Sequence, residues 1–146
     1  MDALDYIVVG QGIAGSCLGF ELLSRGCKIR IFDDSWRNAA CIVAAGVVNP
    51  ITGKRLVKSW RSAVAHPYAK KFYRNLEREL GAEFFHDRKI LQLCRSPEEQ
   101  NLWLERSTLP DYAEFIGAAH SPDFFGQLDD SFGSYFIEHS AWVETR

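Results

Sequence analysis

The stretch Tyr6-Ile7-Val8-Val9-Gly10-Gln11-Gly12-Ile13-Ala14-Gly15 decides the fold class. Its first four residues are apolar and rich in β-branched side chains, and they run directly into glycine. That is the pattern of a strand buried on both faces of a parallel sheet. The next six form a GxGxxG fingerprint: Gly10 allows a tight turn, Gly12 lets the backbone approach a pyrophosphate, and Gly15 lets the following helix pack on the strand. Ala14, Cys17, Leu18 and Leu22 recur at helical spacing through Arg25, and Gly26 suits the position just past a helix C-terminus. Such a helix presents its first amides and the positive end of its dipole to an anion. A second strand, Lys28–Phe32, leads into Asp33-Asp34. Asp33 lies eighteen positions after Gly15, where a strand-end carboxylate accepts hydrogen bonds from the adenosine ribose and disfavours a 2′-phosphate. Together these features predict a Rossmann-like βαβ unit that binds a dinucleotide through Gly10, Gly12, Ile13, Ala14, Gly15, Asp33 and Asp34. The fingerprint leaves FAD and NAD both open.

Composition agrees with a folded domain. The chain has 146 residues, 47% apolar and 25% charged, which is about one ordinary domain and enough to bury a core. A formal net charge of −2 excludes a globally basic nucleic-acid binder. Acids stand near the N-terminus where a signal peptide needs cations, and no apolar run approaches the ~18–20 residues that span a bilayer. A cytoplasmic location is expected. Cys17, Cys27, Cys41 and Cys94 show no CxxC pairing, so neither a zinc site nor a disulfide framework is indicated, and buried free thiols are expected. His66, His86, His120 and His139 lack paired ligand spacing and read as structural or surface histidines.

Charge is unevenly placed: residues 1–61 sum to +3 and residues 62–146 to −5. Lys54, Arg55, Lys58 and Arg61 crowd one short stretch. It reads either as a solvated loop and helix face or as a subsite for phosphate, carboxylate or RNA backbone. Upstream of it, Ala44-Ala45-Gly46-Val47-Val48-Asn49-Pro50 combines small side chains with a glycine. This permits close approach to a ligand, but equally a tightly packed helix start or turn.

The fingerprint, Asp33, Val43-Ala44-Ala45-Gly46 and Asn49-Pro50-Ile51-Thr52-Gly53-Lys54-Arg55 together resemble the N-terminal half of FAD-dependent oxidoreductases of the D-amino-acid oxidase superfamily. The resemblance implies FAD as cofactor, with Gly10, Gly12, Gly15 and Asp33 on its ADP part. It also implies Ala44, Ala45 and Gly46, with Asn49, along the pyrophosphate and flavin side. Hydroxyl residues often precede the alanine-glycine segment in that family. Here Ala40-Cys41-Ile42 stand there, leaving backbone amides to make the contact.

The second half reads as scaffold. Pro67 in a first turn opens a helix Pro67–Leu80 with Phe72, Leu76 and Leu80 on one packing row and Gly81 as its stop. Glu83–His86 and Ile90–Cys94 are short strands flanking a polar turn, antiparallel in the resembled family. Ser96, Pro97 and Glu99 form a capping box that starts a helix through Leu102, Trp103 and Arg106. Residues 118–131 read as a loop pinned by Phe124 and Phe125. Tyr135–Ile137 and Trp142–Val143 read as one more strand pair.

The expected fold is therefore α/β: a Rossmann-like FAD- or NAD(P)-binding βαβ unit over residues 1–82, followed by α+β elements of a substrate domain over 83–146. The resemblance implies a truncated protein, the N-terminal portion of a longer enzyme. Two parallel strands alone must then find covering elements or leave apolar surface exposed.

Three function classes follow: an FAD-dependent amine or amino-acid oxidoreductase, an NAD-linked dehydrogenase half, and a catalytically silent dinucleotide-binding fragment. In the first, hydride passes from a substrate C–H to flavin N5, and Arg55, Lys58 and Arg61 are candidates for holding a substrate carboxylate. A tRNA substrate is a variant suggested by the basic stretch. No residue meets the geometric test for a catalytic acid or base, and no metal is expected.

Overall fold

The β1 strand, Tyr6–Val9, and β2, Ile29–Phe32, pair in parallel with Tyr6 opposite Ile29 and Val9 opposite Phe32. Helix α1, Ile13–Ser24, connects them. It ends through a glycine cap: Gly26 has φ +78, its amide donates to Leu23 O at 2.9 Å, and the Cys27 amide reaches Leu22 O at 3.0 Å. This is a Schellman arrangement, which satisfies carbonyls the helix would leave bare. A computed structural model describes residues 3–35, 37, 39–122 and 127–145. The chain divides into two compact units, unit 1 comprising residues 1–46 with 144–146 and unit 2 comprising residues 47–143. The expected boundary after residue 82 falls inside the second.

In unit 1, β1 and β2 form a two-stranded sheet, and a short helix, α2, spans Ala40–Val43. Val8 is buried at 7% exposure, but Ile7 is 61% and Val9 84% exposed. The expectation of a strand buried on both faces is thus corrected. No third strand joins the pair among the described residues, so the apolar surface a doubly covered sheet would hide stays open.

Unit 2 is built from short antiparallel pairings. Strand β3, Val47–Val48, and β6, Phe85–Asp87, flank β10, Ala141–Val143. Strands β4, Ile51–Thr52, and β5, Val57–Lys58, make a hairpin. Strands β7, Ile90–Leu93, and β8, Ile116–His120, flank β9, Ser134–Ile137. The two expected strand pairs are therefore rearranged. β6 and β7 belong to different sheets, as do β9 and β10, because each member finds a distant partner instead of its neighbour. His120 lies in β8, so the expected loop is shorter, and Phe124 and Phe125 lie outside the described residues. The main core joins Ile51, Leu56, Trp103, Phe115, Tyr135 and Ile137, with Trp103 stacked on Tyr135 at 5.4 Å between ring centroids.

Helix α3 runs Ser62–Leu80, so Pro67 sits inside it and not in its first turn. The earlier start comes from a turn at Ser59–Arg61, where Ser62 N bonds Ser59 O at 3.1 Å and Ala65 N bonds Arg61 O at 2.8 Å. The packing row also differs. Leu80 is 64% exposed, whereas Tyr73 stacks on Phe85 at 5.4 Å and Glu77 is buried. Helix α4, Pro97–Ser107, starts at the expected residue, with Ser96 Oγ accepting the Glu99 amide at 3.3 Å, but the return bond of the capping box shifts by one residue, the Glu99 carboxylate accepting from Arg95 N at 2.9 Å.

Glu77 anchors the α3–β6 junction. Its Oε1 accepts the amides of Phe84 at 2.8 Å and Phe85 at 2.7 Å, and its Oε2 pairs with Arg74 at 2.9 Å. The Phe85 amide above all, then the Phe84 amide and Arg74, hold its carboxyl below the ordinary 4.5 against the opposing effect of burial. A carboxyl with a depressed folded pKa stabilises the fold above its unfolded value and loses that contribution as pH falls through the folded one. Urea denaturation should therefore show Glu77→Gln less stable than the native chain at pH 7, with the gap closing as pH falls below 4.5.

Candidate functional site

Two backbone constraints shape the turn between β1 and α1. Gly10 has φ +92, a conformation that strains any residue with a side chain. A Cβ on Gly15 would lie 1.8 Å from the Gly10 carbonyl oxygen, so the helix rests directly on the strand end. Gly19 extends the same contact one turn on, where a Cβ would come within 3.0 Å of Ile31 Cδ1. Its four-residue spacing from Gly15 was a readable signal that the fingerprint alone does not include. Gly12 is the opposite case, since a Cβ there would meet nothing within 4 Å.

Gly12 caps α1 with extended backbone and no side-chain hydrogen bond, and the first helical bond runs from Ser16 N to Gly12 O at 2.9 Å. The amides of Ile13, Ala14 and Gly15 therefore have no acceptor within the helix. The first turn carries no acidic residue to offset the positive dipole end. At the end of β2, Asp33 Oδ2 accepts the Gln11 amide at 2.5 Å, and Gly10 N donates to Phe32 O at 2.8 Å. These bonds tie the glycine-rich turn to the end of the second strand, so the free amides and the carboxylate share one end of the sheet. Asp33 Oδ1 has no hydrogen-bond partner among the described residues, and Asp34 is exposed beside it. Open backbone at Gly12, amides for an anion and a carboxylate for a ribose diol make a donor and acceptor set that fits the ADP part of a dinucleotide.

The remaining expected residues fall in several settings. Ala44 ends α2 in extended conformation, Ala45 is exposed and Gly46 has φ +68. Asn49 belongs to unit 2 and turns the corner between β3 and β4, its Oδ1 accepting from Ile51 N at 3.0 Å. Lys58 donates to Asp111 O at 3.0 Å and lies 5.8 Å from the centre of the Phe115 ring. Arg61 has φ +53 and stacks 5.4 Å above Trp60. Arg55 is exposed in the β4–β5 turn. Lys58 and Arg61 thus serve two separate local arrangements.

Residues 5–146 match the family described as FAD dependent oxidoreductase, DAO. The chain belongs to that family. The family's cofactor is FAD, which decides between the two dinucleotides the fingerprint leaves open. A curated relative, the tRNA 5-methylaminomethyl-2-thiouridine biosynthesis bifunctional protein MnmC of Marinobacter nauticus, is 27% identical over 150 residues, covering 94% of this chain and 22% of that protein. Among solved structures, iminodiacetate oxidase, IdaA, from Chelativorans sp. BNC1 superposes with a TM-score of 0.70 at 19% identity. That match covers 96% of this chain and 41% of the oxidase. The chain thus spans less than half the length of either. Among the described residues, no helix is long and apolar enough to cross a membrane, and no group of three or more His, Cys, Asp or Glu stands ready to hold a metal.

The Gly15 contact yields a direct test. Gly15→Ala forces α1 off β1, and overpacking against backbone costs about 1–3 kcal/mol or more. Thermal melting should show a clear loss of unit 1 stability, with hydrogen-exchange protection of the Val8 and Ile31 amides falling first.

Proposed function

We propose that this chain is the cofactor-holding N-terminal portion of an FAD-dependent oxidoreductase acting on small-molecule amines or amino acids. The observation that carries the reading is the uncapped start of α1, where three amides and the open backbone at Gly12 adjoin Asp33 at one sheet end. In this reading the amides of Ile13, Ala14 and Gly15 hold the pyrophosphate. Asp33 holds the adenosine ribose, with Asp34 beside it adding negative charge against a 2′-phosphate. Ala44, Ala45 and Gly46 border the flavin side, where small side chains let the ligand approach the backbone. Asn49 contributes through its side-chain NH₂, since its oxygen is engaged in a turn. A flavin held there would supply the redox chemistry for oxidising a substrate C–H bond.

Of the three candidate cations, Arg55 is the one with no contact among the described residues, so it is the first choice for a substrate carboxylate. Its planar fork suits that partner. Iminodiacetate, from which the structurally similar oxidase takes its name, is an amine of this kind. A location in the cytoplasm accords with this reading. A tRNA substrate is a second reading, favoured by the name of the MnmC relative and by Trp60, 86% exposed and stacked by Arg61.

Incubation of the 146-residue chain with FAD, followed by desalting, tests the proposal. Retained absorbance near ~370 and ~450 nm is expected. Asp33→Ala should weaken the affinity by about tenfold or more, the equivalent of one lost charge-assisted hydrogen bond. Failure of the native chain to hold FAD at any accessible concentration would overturn the cofactor role of this segment.

A further inference from the structure

A cleft of about 290 Å³ opens within unit 2 between the β4–β5 turn, the end of β7 and the inner face of α4. That is near the lower end of the ~300–1,000 Å³ usual for small-molecule sites. Its apolar side is formed by Ile51, Leu56 and Trp103 from the main core, with Leu102 beside them. Lys54 and Arg95 contribute to its walls from opposite segments, and neither side chain has a hydrogen-bond or ion-pair partner among the described residues. Several other cations of the same unit are engaged: Lys58 on a carbonyl, Lys70 and Arg74 on Asp87, and Lys89 on Glu138.

The walls that carry the two free cations are held from behind. In the turn bearing Lys54, Leu56 has φ +50, an uncommon and strained conformation for a branched side chain. Leu56 N bonds Gly53 O at 3.0 Å, and Tyr112 Oη donates to Leu56 O at 3.0 Å. These contacts keep Leu56 in the core while Lys54 stays exposed. Across the cleft, the bond from Arg95 N to Glu99 Oε2 fixes the backbone where β7 gives way to α4. Strain of this kind persists only where surrounding structure imposes it.

We infer that this cleft binds a small organic carboxylate carrying an apolar or aromatic body. The Arg95 guanidinium matches a carboxylate with two parallel hydrogen bonds, and Lys54 adds a second positive charge. The body of the ligand covers the half-buried Leu102, removing apolar surface from water, with the buried Trp103 beneath it. Glu99 in the same lining brings the local charge of these three side chains to +1, which suits a monoanion and opposes a phosphate dianion. The cleft draws no residue from the glycine-rich turn; Asn49, assigned above to the flavin side, also lines it, and the carboxylate contacts rest on Lys54 and Arg95.

The test is a heteronuclear NMR titration of the isotope-labelled 146-residue chain with phenylacetate, run in parallel with inorganic phosphate. Saturable shifts are expected at the Lys54, Arg95 and Glu99 amides and at the Trp103 indole, at ~millimolar ligand. Both cations are exposed, so the double variant Lys54→Ala/Arg95→Ala should keep the native spectrum elsewhere and bind at least ~10-fold more weakly. Leu102→Ala should weaken phenylacetate and leave phosphate unchanged. The inference is overturned by absence of saturable shifts at these residues, by undiminished affinity in the double variant, or by phosphate binding as tightly as phenylacetate.

Discussion

The meeting of Gly15 with the Gly10 carbonyl is the contact on which unit 1 depends. With no side chain at either position, helix and strand approach backbone to backbone, and Gly19 carries the approach along the next turn against Ile31. The closeness aims the helix start at the end of the sheet. Two further hydrogen bonds, from Gly10 to Phe32 and from Gln11 to Asp33, then fasten the turn to the neighbouring strand. Steric absence in three glycines thereby becomes placement of three amides and one carboxylate, which is the form a pyrophosphate and a ribose call for.

Much of unit 1 was legible in the sequence because its determinants are local. A positive φ at Gly10 and at Gly26 requires glycine, and the βαβ order follows from adjacent segments. Ser96 and Pro97 were equally readable as the start of α4, since a cap acts within one turn. Unit 2 was harder for a physical reason: its strands are two to five residues long, and several of their partners lie far away in the chain. A two-residue strand such as Val47–Val48 has no periodicity to read, and its partner Ala141–Val143 is supplied almost a hundred positions later. Pairing of that kind is chosen by tertiary packing, which neither propensity nor pattern records.

The same distinction separates the parts of the candidate sites. The fingerprint and the strand-end acid are a spacing rule, visible in one dimension. The fate of the basic stretch is not, because it turns on what lies opposite: Asp111 and Phe115 take Lys58, whereas Arg95 comes to share a cleft with Lys54 from forty-one positions away. Four cations close in sequence thus meet different surroundings in space. Nor does helical spacing alone reveal that Glu77, an acid, occupies the buried face of α3, because its partners are amides supplied by the following strand.

The open surface of the β1–β2 pair bears on how unit 1 folds. Of the buried apolar residues described, Val8 is the one that belongs to this unit, while the rest lie in unit 2. A segment with so small a core is expected to have an opening free energy toward the low end of the range found within one chain. Any ligand that binds the folded turn and not its unfolded form adds stability in proportion to the logarithm of its concentration over its dissociation constant. In the proposed reading, folding of the first forty-six residues and occupation of the turn by a nucleotide would be thermodynamically linked, each favouring the other.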